Sequence, residues 1–124
     1  MRCIRIVLPW AFWIPFGFAS YMALTPAVHL EISQTHDKIT HFLAFGYLTG
    51  AFAVAYAQWS TWLRTAGIML AYAAFIEVVQ AFIPNRQCSL LDFMADGLAI
   101  FLALSGLYVI HKVMGLLKPG VKTS

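Results

Sequence analysis

Charge is scarce in this chain. Of its 124 residues only 10% are Asp, Glu, Lys or Arg, and only five are acidic. A soluble domain of this size buries a modest share of its surface and could not hide a composition that is 61% hydrophobic. The net charge of +3 comes from basic residues spread one or two to a loop. That scatter excludes the clustered basic patch of a nucleic-acid-binding protein. Cysteine is nearly absent as well. Cys3 and Cys88 form no CxxC or Cys/His spacing, which excludes a zinc-finger-type module and a disulfide-stapled scaffold. Linkers, low-complexity runs and clear repeats are also missing, so one domain is expected over residues 1–124.

What the chain has instead is long apolar runs. With a mean hydropathy of +0.78, four stretches approach or exceed the ~18 residues that argue for a spanning helix: 6–24, 39–57, 66–83 and 93–113. Backbone groups in lipid must be satisfied internally, so these are helices, and the predicted fold is an all-α polytopic membrane bundle. Arg2 and Arg5 precede the first run as they would in a signal peptide. That run is longer than the usual apolar core, however, and no clean cleavage site follows it. Pro9 and Pro15 are expected to kink the first helix or set its start near the interface, and Pro84-Asn85 to end the third.

Four spans put both termini on one side. Arg2, Arg5, Arg64, Lys112, Lys118 and Lys122 fall on that side and Lys38 and Arg86 on the other, which predicts that both termini are cytoplasmic. Trp59 and Trp62 would anchor the cytoplasmic interface, and Cys3 and Cys88 would lie on opposite sides, unable to pair within the chain.

The polar residues then gather at the outer face. Asp37, Lys38 and His41 open the second span, Glu77 and Gln80 close the third, and Arg86, Ser89, Asp92 and Asp96 lead into the fourth. Asp37/His41, Glu77/Gln80 and Asp92/Asp96 are spaced to share helix faces. At ~1.5 Å per residue, Glu77 and Asp96 both lie about 10 Å below their helix ends. Ionisable groups within spans are costly and mark functional sites by default. With His neutral, Asp37, Glu77, Asp92 and Asp96 outnumber Lys38 and Arg86 by two charges. A partly dry pocket relieves such a surplus by protonating a carboxyl or binding a cation.

Plainer roles stand beside these. Asp37 fits a helix N-cap, Ser89 with Asp92 fits a capping box, and Glu77 with Arg86 could be a structural ion pair. Glu77 and Asp96 lie too deep to be caps. Gly46 and Gly50 form GxxxG, which serves either internal packing, the favoured reading, or an oligomer interface.

Two motifs, D-K-x-x-H-F over Asp37–Phe42 and E-x-x-Q-x-F-x-P-x-R-x-x-S-x-x-D over Glu77–Asp92, resemble the VanZ-like family of small bacterial membrane proteins. The family pattern commonly has Asn where Asp96 stands and Gly where Ala99 stands. The resemblance implies the bacterial cytoplasmic membrane and a cell-envelope context. The founding member is linked to glycopeptide resistance, notably to teicoplanin. No settled reaction and no catalytic assignment follow from it.

Three functions stay open at this level. One is a site for a phosphate- or sugar-bearing envelope or lipid-linked substrate, with Asp37, His41 and Glu77 in the chemistry. Lys38, Gln80, Arg86, Ser89, Asp92 and Asp96 would bind that substrate, and Glu77, Asp92 and Asp96 are candidate ligands for a divalent cation. Another is a small oligomeric proton- or cation-coupled transporter using Glu77 and Asp96. The last is a non-catalytic accessory protein of the envelope. A one-sided site is favoured over a transport path, because the inner half offers Thr49, Tyr56 and Ser105 but no buried charge.

Overall fold

The computed structural model describes residues 2–26, 34–57, 61–86 and 88–117; within its helices, the side chains of residues 2–6, 34, 35, 37 and 117 lie outside the description. These residues form four helices and no strand: α1 (Arg2–Leu24), α2 (Gln34–Ala55), α3 (Trp62–Gln80) and α4 (Leu90–Leu117). Each overlaps its expected span and extends beyond it at the N-terminal end. Pro9 and Pro15 both lie inside α1, whose assignment runs through them. Thr61 caps α3 in extended conformation, its hydroxyl accepting from the Arg64 N–H at 3.3 Å. After Gln80 the chain turns through Pro84 and Asn85. Asn85 takes a left-handed φ of 62°, a conformation Asn tolerates better than most residues.

Three helical segments are long and apolar enough to cross a membrane: Val7–Leu24, Trp62–Gln80 and Leu90–Leu116. The sequence reading had four spans. The second helix is not among the three, and its first turns hold His36, Asp37, Lys38 and His41. It is instead the central helix. α2 packs against α1, α3 and α4, with its most extensive contact on α4, whereas α1 and α4 do not meet among the described residues. Protein covers much of α2, while Ile39, Leu43, Tyr47 and Val54 stay exposed on its outer face.

The core is Phe12, Phe45, Leu48, Met69, Ala73, Ala99 and Ile100. Around it Phe12, Phe16, Phe52 and Tyr72 pack ring against ring. Ser20 and Tyr72 share a hydroxyl hydrogen bond of 2.7 Å between α1 and α3, and the Tyr47 hydroxyl donates to the Ala11 carbonyl at 3.0 Å between α2 and α1. The outside is unusually apolar. Trp10, Ile14, Phe18, Leu63, Leu98, Phe101 and Leu116 are all half-exposed or more. Apolar surface on this scale is that of a membrane protein, not of a soluble monomer. Gly46 turns inward, where an added Cβ would sit 4.0 Å from Ala99, while one on Gly50 would meet nothing within 4 Å. An alanine would fit at either position, so neither glycine is required for close approach within the described chain.

Candidate functional site at the polar end of the bundle

One end of the bundle gathers the C-termini of α1 and α3 and the N-termini of α2 and α4. Helix period decides what converges there. On α3, Met69, Ala73, Ile76, Glu77 and Gln80 fall on the buried face. On α4, Asp92, Asp96, Ala99 and Ile100 do the same, and on α2 so do His41, Phe45, Leu48 and Thr49. The apolar members pack the core and the polar members lie on the same stripes, nearer the end.

His41, Glu77 and Asp96 meet. Each offers one ligand atom within 4.8 Å of the other two. His41 Nδ1 lies 3.5 Å from Asp96 Oδ2, and Asp96 has no exposed surface. Glu77 is 5% exposed. One of its oxygens, Oε2, accepts the backbone N–H of Ser89 at 3.0 Å, tying α3 to the residue that precedes α4. Its other oxygen, Oε1, is buried with no hydrogen-bond partner among the described residues. Buried polar atoms are nearly always paired, so an orphaned carboxylate oxygen calls for an explanation.

The remaining sequence candidates divide. Asp92 is buried one turn above Asp96, and its N–H returns to the Ser89 carbonyl at 3.0 Å, which starts α4. The trio that converges is His41, Glu77 and Asp96, so His41 stands where the sequence had suggested Asp92 as a cation ligand. The Ser89 N–H, which a capping box would direct to Asp92, goes to Glu77. Lys38 is half-buried on α2. The side chain of Asp37 lies outside the described residues, and the carboxylate that the structure sets beside His41 is Asp96.

Gln80 and Arg86 have another task. Gln80 Nε2 donates to the Ala23 carbonyl at 3.0 Å. Arg86 Nε donates to the Thr25 carbonyl at 3.2 Å and its Nη2 to the Met22 carbonyl at 2.8 Å. The last carbonyls of a helix have no partner within it, and a guanidinium close to them satisfies both their lone pairs and the negative end of the helix dipole. Gln80 and Arg86 therefore clamp the C-terminus of α1 onto the α3–α4 connection.

The sequence predicts a polar pocket at this end between the second, third and fourth helices; the space beside the cluster is apolar and borders α1 instead of α4. A cavity of about 180 Å³ runs between α1, α2 and α3, lined by Phe18, Met22, Ala44, Leu48, Tyr72 and Ile76, with His41 and Arg86 at its polar end. Its lining is apolar residues among many other apolar residues, so nothing in the sequence set them apart.

The fold and site define a helical membrane protein that buries a histidine and three carboxylates, Glu77, Asp92 and Asp96, at one end of its bundle. The chain belongs to the VanZ/LLP1 family, whose model matches residues 5–112. No curated protein and no solved structure matched the chain.

Proposed function

We propose that this protein is a four-span protein of the bacterial cytoplasmic membrane that binds, and acts on, an envelope amphiphile with a phosphate- or sugar-bearing headgroup. The observation that carries this reading is the continuity of the two features at the polar end. The apolar cavity ends at His41, and His41 is one of the three groups of the buried cluster. A lipid-linked substrate has the same two parts, a chain that needs an apolar channel and a headgroup that needs polar partners. The acyl or prenyl chain would lie along Phe18, Leu48 and Ile76. The headgroup would lie over His41, Glu77 and Asp96, within reach of Lys38. His41, at the junction of cavity and cluster, would contact the headgroup. Arg86 touches the cavity while clamping α1, and its five donors can serve both tasks.

The polar end faces outward in this reading. Arg64 begins α3 and Lys112 lies near the end of α4, both at the opposite end from the cluster, where the positive-inside rule places the cytoplasm.

The test is lipid retention. The protein purified in mild detergent should carry anionic or lipid-linked sugar amphiphiles, seen by native mass spectrometry, in preference to zwitterionic phospholipid. Ala44→Trp would fill the cavity and should remove them. Equal retention of all lipids by wild type and Ala44→Trp would sink the reading and favour an accessory role.

A further inference from the structure

We infer that His41, Glu77 and Asp96 form a mononuclear site for a divalent transition-metal cation, Zn²⁺ by preference, at the outer end of the bundle. Three observations converge on it. The three side chains come from three different helices, yet each presents a ligand atom within 4.8 Å of the others. The donor set is one imidazole nitrogen and two carboxylate oxygens, with room left for a water or substrate atom. Three protein ligands with a fourth position open is the layout of a catalytic zinc site, here with more oxygen and less nitrogen than usual. The imidazole weighs against Mg²⁺ and Ca²⁺, which prefer oxygen throughout. Independently, Glu77 is almost wholly buried and its Oε1 has no hydrogen-bond partner among the described residues, which is how a ligand atom stands before its cation arrives.

The distances fit a site that tightens on binding. Ligand atoms about 2.0–2.1 Å from a tetrahedral zinc stand roughly 3.3 Å apart. His41 Nδ1 and Asp96 Oδ2 are already at 3.5 Å, and the widest of the three separations needs to close by about 1.5 Å, within the reach of side-chain torsion. The charge also fits. With the imidazole neutral the three ligands carry a charge of −2, and Asp92 one turn away adds a third buried carboxylate, a surplus that draws a cation. The outer shell is in place, since Glu77 Oε2 is held by the Ser89 N–H, and such contacts orient metal ligands. Asp96 is particular to this argument: an Asn there would offer a neutral and weaker oxygen.

The site stands on these three residues and does not depend on the lipid reading. A chain that binds Zn²⁺ but retains no lipid keeps this inference and loses the other. Zinc binding is measured by equilibrium dialysis and elemental analysis of the full chain in detergent. A Cys88→Ser background removes the exposed thiol as a rival ligand. One Zn²⁺ per chain is expected, with Mg²⁺ binding far more weakly. Glu77→Gln and Asp96→Asn should each weaken zinc binding by at least about 100-fold, the upper end of what loss of an outer-shell partner costs. Zn²⁺ should raise the Tm of the parent chain and leave that of Asp96→Asn unmoved, while the two melt alike in chelator. His111→Ala, at the other end of the molecule, should bind zinc as the parent does. Absence of stoichiometric zinc, binding untouched by Glu77→Gln and Asp96→Asn, or Mg²⁺ binding as tight as Zn²⁺ would each overturn the inference. So would loss of binding in a variant that no longer melts cooperatively, if the folded variant among the pair still binds.

Discussion

The two ends of the bundle are built from the same helices and both contain a cavity, yet among the described residues only one buries charge. At the polar end the cavity of about 180 Å³ abuts His41, Glu77 and Asp96, all buried. At the opposite end a larger space of about 420 Å³ lies between α2, α3 and α4, lined by Ala53, Val54, Trp62, Leu107, Ile110 and Met114. Its polar lining is Thr65 and His111, with no carboxylate, and His111 is exposed. Cavity size therefore ranks the ends in the wrong order. Spaces between helices arise wherever packing is imperfect, whereas a carboxylate without exposed surface is expensive and persists only when something offsets it. The same contrast weighs against a transport path: among the described residues buried charge is found at one end, with no chain of ionisable groups leading to the other.

The comparison can be broken by mutation, because the apolar middle and the polar end should respond differently. The largest effect is expected in the core. Met69 is 1% exposed and packs at the centre of the bundle. Met69→Ala should destabilise by about 2–5 kcal/mol, the range for emptying a buried site, and should melt well below wild type in detergent. A Met69→Ala chain that melts like wild type would mean that the helices are held chiefly by detergent and the end groups.

Next is the clamp on α1. Arg86→Ala removes two hydrogen bonds to carbonyls of the α1 C-terminus. Both bonds are only part-buried and water can replace them, so the pair together is worth about 1.5–3 kcal/mol, and a clear fall in Tm is expected. Gln80→Ala removes one neutral bond and should cost about 1 kcal/mol. Proteolysis near the α1–α2 connection should speed up in the same order, Arg86→Ala before Gln80→Ala. If both variants melt and resist protease as wild type does, the clamp is not what holds α1.

Much of this was legible in the sequence, and what was not shares one physical cause. The four helices showed as long apolar runs, and the gathering of His41, Glu77 and Asp96 showed because polar residues are rare enough in spans to be counted individually. Which apolar residues face inward did not show. In a soluble helix the outer face is polar, so period reveals the core, but in lipid both faces are apolar and the contrast vanishes. Met69 and Leu70 are adjacent and equally apolar, yet one is buried and the other exposed. The cavity was invisible for the same reason. The partnering of Arg86 escaped because it is with backbone carbonyls of α1, which leave no mark in the sequence. Spacing along one helix pairs His41 with Asp37, whose side chain lies outside the described residues; among those described, the carboxylate beside His41 is Asp96, which comes from across the bundle.

A smaller effect is expected at the cluster itself. If Glu77 and Asp96 crowd like charges for the sake of a ligand, neutralising one should relieve repulsion as much as it removes contacts. Asp96→Asn should therefore melt within a few degrees of wild type, and Glu77→Gln should keep an acceptor for the Ser89 N–H. Both should abolish whatever envelope phenotype the wild-type protein confers, as should His41→Ala. A buried structural ion pair behaves otherwise, losing about 3–5 kcal/mol when one partner goes. Variants that fail to accumulate would show the cluster to be a structural polar core and would support the accessory-protein reading.

The smallest effect sharpens which end is outside. Cys88 is exposed in the connection between α3 and α4, next to the polar end. If that end faces outward, a membrane-impermeant maleimide added to intact spheroplasts should label Cys88 and spare Cys3. Labelling of Cys3 alone would invert the orientation. The rate carries further information. Although Cys88 is exposed, desolvation of its thiol, then the charge and hydrogen bonding of the Glu77 carboxylate, and last the charge of Asp92 push its pKa above the ordinary thiol value. The thiolate is the reactive form, so labelling at neutral pH should be slower than for a free thiol and should climb as pH rises toward that elevated pKa. Glu77→Gln removes one negative charge beside the sulfur and lowers the pKa, so at fixed pH it should speed labelling by a modest factor. Bound Zn²⁺ should do the same, since it cancels the charge that disfavours the thiolate. A labelling rate indifferent to Glu77→Gln and to Zn²⁺ would mean that the Glu77 carboxylate and the cation site exert no field at Cys88, and the link between the loop and the buried cluster would fail.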